Sequence, residues 1–381
     1  VFNLIFNMKL LKPYILFCTF GILVMLMAGC RKEVGVIAPE TTQLMNPGEY
    51  GSGMDFYLLN EGNMGSNHCS LDFFNHSAGT YALNIYESVN PSVTLGLGDV
   101  GNDIEIYGGK LYVVVNGSGK VEVLEKGSAV KLCQIEVPNC RSLAFWNSKV
   151  FVTSYNGFVG VVDTSVLQNG AGSVQLDKQI AVGREPEGLA VAANQLYVAN
   201  SGGYSPPLYD HTVSVIDLNT LSVSKTIDLG INLNDVQADN YGHVVVSARG
   251  NYAEVAPSFY VLDASTGEVL KHEQIPVGNF AISDSILYYF TSSYQANNQK
   301  VSYKRYNLKT LSAIAGSFLT SNLSEKIQFP YALKVDPKGN RILISDAGDY
   351  TSPGTLYWVD MEGNVLWQVQ TGEIPGHIAF L

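Results

Sequence analysis

Positive charge, histidine and cysteine are all scarce in this chain, and each shortage removes a class of function. Lys and Arg total 23 against 34 Asp and Glu, a formal net charge of −11. With no basic run or stripe, such a surface repels phosphate backbones, and nucleic acid is not expected as a partner. The six histidines (His68, His76, His211, His243, His272 and His377) are scattered one per strand or loop, without ligand spacing. No H-E-x-x-H, no G-x-S-x-G elbow and no Walker loop is present. The expectation is a binder and not an enzyme, with no cofactor, no metal and no catalytic residue. Asp346 and Asp349 could contribute to a calcium site, but an acidic turn bonding its own backbone is the simpler account. The five cysteines include Cys18 and Cys30 near the N-terminus, leaving Cys69, Cys133 and Cys140. Cys133 and Cys140 are close in sequence but fall on an outer strand and the next inner strand, radially apart, which disfavours a disulfide.

Helical periodicity is scarce as well. Gly96-Leu97-Gly98-Asp99-Val100-Gly101 matches the dinucleotide fingerprint, yet a short strand, Ile104-Glu105-Ile106, follows where the fingerprint needs a helix. Those glycines read as loop punctuation.

What is abundant is β-structure. Seven short apolar runs centre on Tyr57, Tyr112, Phe151, Tyr197, Val245, Tyr288 and Leu343. Their spacing of roughly 40–55 residues is that of a propeller blade. The clearest copy gives the unit: Pro186–Val191, a turn at Ala193–Gln195, Leu196–Asn200, a Gly-Pro-rich loop, Thr212–Asp217, a turn, and a polar outer strand Ser224–Leu229. Asp163, Asp217, Asp263 and Asp360 recur at the ends of third strands because the turn there needs them. The ring opens on a second-type strand at Phe56 and finishes on a first-type strand, Pro375–Leu381, so the last strand completes the first blade and no edge is left open. The fold expected is all-β, a seven-bladed β-propeller of four-stranded blades over residues 54–381.

Before the ring, Lys9 and Lys12 precede an apolar stretch from Tyr14 to Ala28 that ends in Leu26-Met27-Ala28-Gly29-Cys30. A basic head, a short apolar run and small residues before Cys describe an export signal over residues 1–29, with Met8 a good candidate start. Small residues directly before Cys resemble the lipobox of bacterial lipoproteins, in which Cys30 would be lipidated. Residues 30–53, without periodicity and holding Pro39, Pro47 and three glycines, read as a flexible tether. Arg31, in place of an Asp retention signal, favours an outer-membrane address; Glu33 alone does not decide whether the head faces the periplasm or, as expected, the cell surface.

In a propeller, the loops from second to third strands and those entering first strands share one mouth of the channel. The former deliver Tyr155, Tyr204, Tyr252, Tyr294 and Tyr350, with Asn63 and Arg249. The latter add Asn102 and Asp103, Arg141, Arg184 and Glu185, Asn234 and Asp235, then Asn279, Phe329, Tyr331 and His377. Phenols combine apolar area with one polar handle at small entropy cost, and amides satisfy polar edges. Such a crown suits a bulky ligand rich in amides or hydroxyls.

Pro186–Val198 with Thr212–Leu229 resembles the YVTN-type repeat of YncE-like propellers. Leu59-Asn60-Glu61-Gly62-Asn63 and Leu97–Ile104 are similar to surface-lipoprotein propellers of gut Gram-negative anaerobes, among them the BtuG group. That resemblance implies capture of cobalamin outside the cell and its transfer to a TonB-dependent outer-membrane transporter, with the membrane touched only through the lipid. A glycan- or protein-binding adhesion propeller is the alternative. A lactonase-like hydrolase would need a His–carboxylate cluster or metal at the channel mouth.

Overall fold

The computed structural model describes residues 38–291 and 301–381, except 337 and 339. The stretch 1–29 expected to be an export signal, Cys30 and Tyr294 lie outside the described residues. Seven sheets, each built on four antiparallel strands, are arranged around a channel, so the all-β, seven-bladed propeller read from the sequence is what forms. Taking blades 1 to 7 in order, the inner strands are Pro375–Phe380, Gly101–Tyr107, Cys140–Trp146, Pro186–Ala192, Leu233–Ala238, Val277–Ser283 and Pro330–Asp336. Each touches the next, and the last touches the first, so the ring is closed. Closure follows the expected seam: Pro375–Phe380 pairs with Phe56–Asn60 in the register Phe56↔Phe380 to Leu58↔Ile378.

The core lies between blades, not inside them. Second strands bury both faces, as Phe56–Asn60 and Gln195–Asn200 show, because each sheet is covered by its neighbours. Tyr112, Val114 and Val121 of blade 2 pack with Leu143, Val150 and Val152 of blade 3 in one cluster. Outer strands are polar; Ser222–Asp228 buries one residue of seven. The recurring Asp residues do close turns: Asp217 accepts from the Asn219 and Thr220 amides, Asp263 from those of Ser265 and Thr266. Cys69, Cys133 and Cys140 are buried free thiols. After Gly96–Gly101 comes the inner strand of blade 2, not a helix.

One boundary moves. The stretch 30–53 is not all tether: Thr41–Gln43 adds a fifth, outermost strand to blade 1 by pairing with Thr80–Ala82, Met45 is buried, and the Tyr50 hydroxyl donates to the Leu366 carbonyl. The outer strand of blade 1 is only three residues long, and the added strand covers its open edge. Blade 2 gains a similar cover, where Gly172–Val174 pairs in parallel with Lys131–Glu136.

Candidate functional site

Every inner strand breaks register with its partner near its start, and all seven breaks have the same form: two inner-strand residues face one residue of the second strand. These are β-bulges, which bend a strand and re-aim its side chains. The bulged pairs are Gly376-His377, Asn102-Asp103, Arg141-Ser142, Glu187-Gly188, Asn234-Asp235, Gly278-Asn279 and Tyr331-Ala332. All of them line one funnel of about 1180 Å³ that runs into the central channel. In three blades the second bulged residue, Ser142, Asp235 or Ala332, gives its amide to a hydroxyl of the facing strand, Thr153, Ser247 or Ser345. The bulge would otherwise orphan that N–H. In blades 1 to 5 the residue just before the inner strand has a positive φ: Ile374 55°, Val100 56°, Asn139 51°, Glu185 48° and Asn232 59°. For β-branched Ile374 and Val100 this conformation is strained, and strain of this kind gathers where a fold holds a site in place.

The side chains of the ring form two opposed groups. On one wall, Glu187 is almost fully buried and receives Arg141 Nε at 3.0 Å and the Tyr155 hydroxyl. Arg141 also donates to Asn102 Oδ1 at 2.8 Å and stacks over the Tyr155 ring, 4.5 Å from its centroid. A second guanidinium, Arg249, stands with its Nη1 3.6 Å from Glu187 and 42% of its side chain exposed. Burial works against the Glu187 charge, yet Arg141 and Arg249 hold its pKa below the ordinary carboxylate value. On the opposite wall, Glu61 accepts from the Tyr331 hydroxyl at 2.9 Å and meets His377 Nε2 at 3.0 Å. Burial opposes the His377 proton, but the Glu61 bond outweighs it and raises the pKa. Phe329, Tyr350 and Tyr331 make an aromatic ledge above, with centroids 5.5 and 5.9 Å apart.

The channel below is acidic. Asp103 accepts the amides of Ile104 and Leu143, both at 2.8 Å, and Asp235 accepts from Gln237 Nε2 at 2.8 Å. Burial raises the pKa of both. Glu105, with Lys334 Nζ 3.9 Å away, is pushed up to about 7 by the same enclosure.

Of the residues anticipated from sequence, Asn102, Asp103, Arg141, Asn234, Asp235, Arg249, Tyr252 and Tyr350 line the funnel. Tyr155 backs its wall and also borders a shallow side pocket of about 310 Å³ with Arg184 and Glu185. Three do other work. Arg184 faces away, its guanidinium 4.0 Å from Asp210; Glu185 ties down the loop at Tyr204 and Ser205; Asn63 donates to Glu373 at 3.0 Å. Tyr204 is exposed outside the funnel, edge-on to Tyr155 at 4.9 Å. Glu187, Glu105, Lys334 and Gln237 line the funnel and were not anticipated. Asp346 is occupied by the amides of Gln328, Phe329 and Gly348, and Asp349 by those of Thr351 and Ser352. Among the described residues no group of three or more His, Cys, Asp or Glu could hold a metal ion.

Residues 54–361 match DUF5074, described as a domain of unknown function. The chain belongs to the DUF5074 family. No curated protein matches it. Among solved structures, the Kuenenia stuttgartiensis hydrazine synthase is similar with a TM-score of 0.56 and 16% identity, over 73% of this chain and 89% of that one. The computationally designed Ika8 protein is similar at 0.54 and 14%, over 90% and 92%. The WD40 domain of Neurospora crassa Pan2 is similar at 0.50 and 12%, over 74% and 79%. Identities this low speak for the propeller fold alone, so what a DUF5074 funnel does must be argued from its side chains.

Proposed function

We propose that this DUF5074 propeller is a binding protein that captures a bulky, amide- or hydroxyl-rich nutrient in its funnel, cobalamin first among the candidates. The observation that carries this is the ring of seven bulges around about 1180 Å³. Pockets for small ligands usually span about 300–1,000 Å³, so this one suits a ligand at or above the top of that range. Asn102 and Asn234 offer amide partners from two sides, the Asn279 amide being engaged by the Tyr331 carbonyl and the Phe280 N–H, and Phe329, Tyr350 and Tyr252 offer apolar edges. The sequence at Leu26–Cys30 supports lipid anchoring, and with it a role at the outer-membrane surface that hands the ligand to a TonB-dependent transporter.

A second reading, adhesion to a glycan or protein, is favoured by Met64, Leu95, Tyr204 and Leu208, which are exposed on the crown beyond the funnel. The Glu61–His377 pair is where a hydrolase would begin. Its carboxylate is already shared with Tyr331, and among the described residues nothing forms a metal cluster beside it. Calorimetric titration of residues 31–381 with cyanocobalamin tests the leading reading. One-to-one binding is the expected result. Absence of heat and of any absorbance change removes cobalamin and moves glycan arrays to the front.

A further inference from the structure

We infer that Arg249 is an oxyanion receptor: the captured ligand presents a carboxylate or phosphodiester to its guanidinium at the funnel mouth. The inference rests on the capture reading and adds the charge of the ligand to it.

Two guanidiniums approach one carboxylate, Glu187, and they do not approach it equally. Arg141 bonds it at 3.0 Å, spends a further N–H on Asn102, and covers its own face with the Tyr155 ring. The Tyr155 hydroxyl takes the other Glu187 oxygen. That carboxylate is therefore served by a charged and a neutral donor before Arg249 is counted. Arg249 Nη1, at 3.6 Å, is beyond hydrogen-bond distance and close enough only for a Coulombic contribution. The backbone of Arg249 is fixed, its amide bonding the Asn232 carbonyl at 2.9 Å, while 42% of its side chain faces the open funnel. A planar fork of five N–H donors, held at its base and facing a cavity, is the arrangement that takes a two-oxygen anion. Arg141 already matches the Glu187 charge one for one, so the Arg249 cation is in excess at this wall even as it helps to keep that carboxylate ionised. The acidic residues Asp103, Asp235 and Glu105 line the channel with Lys334, so they would not favour an anion deeper inside. The mouth is where it would be held.

Covalent labelling tests this without knowing the ligand. The whole protein is treated with phenylglyoxal, and arginine adducts are followed by mass spectrometry with dimethyl phosphate, glucuronate or glucose present. Arg184 is the internal control, being half exposed and outside the funnel, with its guanidinium 4.0 Å from Asp210. The expected result is that at least one of the two oxyanions slows labelling of Arg249 about fivefold or more while Arg184 and the glucose sample are unaffected. Protection by dimethyl phosphate alone assigns a phosphodiester; protection by glucuronate alone assigns an acidic sugar. No protection by either, or equal slowing at Arg184, overturns the inference. A second arm compares cyanocobalamin with cobinamide, which lacks the phosphodiester. If the corrinoid is the ligand, Arg249→Gln weakens cyanocobalamin about tenfold or more and cobinamide little. Equal weakening of both counts against the inference. If neither corrinoid binds, the cobalamin reading fails while the labelling result still decides the role of Arg249.

Discussion

Glu187 and Asp235 come from bulges at the same height of neighbouring blades, and both are carboxylates enclosed in the funnel wall, yet their charges are treated in opposite ways. Burial opposes the charge of each. At Glu187 two guanidiniums and a phenol outweigh burial, and the carboxylate stays ionised below its ordinary range. At Asp235 the main partner is the neutral Gln237 amide, and burial prevails, as it does for Asp103 and Glu105. The first bulged residue of one blade thus forms a satisfied ion pair at the mouth, while the second bulged residue of the next is a costly acid in the channel. Chain geometry fixes where a carboxylate sits, and its neighbours fix whether the charge is welcome.

The largest way to break this contrast is to remove Glu187. Glu187→Leu leaves the Arg141 guanidinium, only 16% exposed, without its carboxylate and strands the Tyr155 hydroxyl. Urea unfolding should show a loss of about 3–5 kcal/mol. Adding Arg141→Met to that variant should recover at least half, since the cost is that of an uncompensated charge. A loss under about 1 kcal/mol in the single variant would mean that the pair does not hold this wall together.

The opposite sign appears at Glu105. Its pKa rises from an ordinary 4.5 to about 7. Between those values the folded protein keeps a proton that the unfolded chain has lost. Stability from this site therefore falls as pH rises through that window and stays low above it. Glu187 runs the other way, its contribution present above the ordinary carboxylate value and lost as pH falls through its lowered one. Glu105→Gln should flatten the decline between about pH 4.5 and 7 and leave the variant about 1 kcal/mol more stable than the parent at pH 8. The full shift corresponds to about 3 kcal/mol, but with 42% of the side chain exposed, screening reduces it. Equal stability of variant and parent from pH 4 to 8 would refute the assignment.

The same contrast explains what was legible in the sequence. Seven repeats and complementary ends disclose the ring, because period and closure are properties of the pattern itself. The bulges are not disclosed. A two-for-one break shifts the alternation by one residue, so Arg184 and Glu185 stand out before Pro186 while Glu187, two places on, is the residue that faces the funnel. Glu105 and Lys334 look like the outward polar positions of an amphipathic strand; only when seven blades close does that face become a channel. Thr41–Gln43 gives no sign of its place because all three residues are exposed. An edge strand that buries nothing carries no hydrophobic pattern to read.

The smallest change in stability is expected at the crown, where the effect on binding should be large. Tyr252 and Arg249 belong to the crown: Tyr252 is 52% exposed with φ 58°, and Arg249 reaches Glu187 only at 3.6 Å. If the wall is held by Glu187, Arg141 and Tyr155, then Tyr252→Ala with Arg249→Ala removes none of its hydrogen bonds. The free energy of unfolding measured in urea should then change by no more than about 0.5 kcal/mol. Ligand affinity should fall about 30-fold or more, because a large aromatic and a guanidinium at a pocket mouth are the side chains on which binding energy concentrates. Calorimetry with cyanocobalamin and unfolding of the same double variant separate the two effects. A stability loss above about 1 kcal/mol would place Arg249 inside the ion-pair wall and make it a structural partner of Glu187, not a receptor waiting at the mouth.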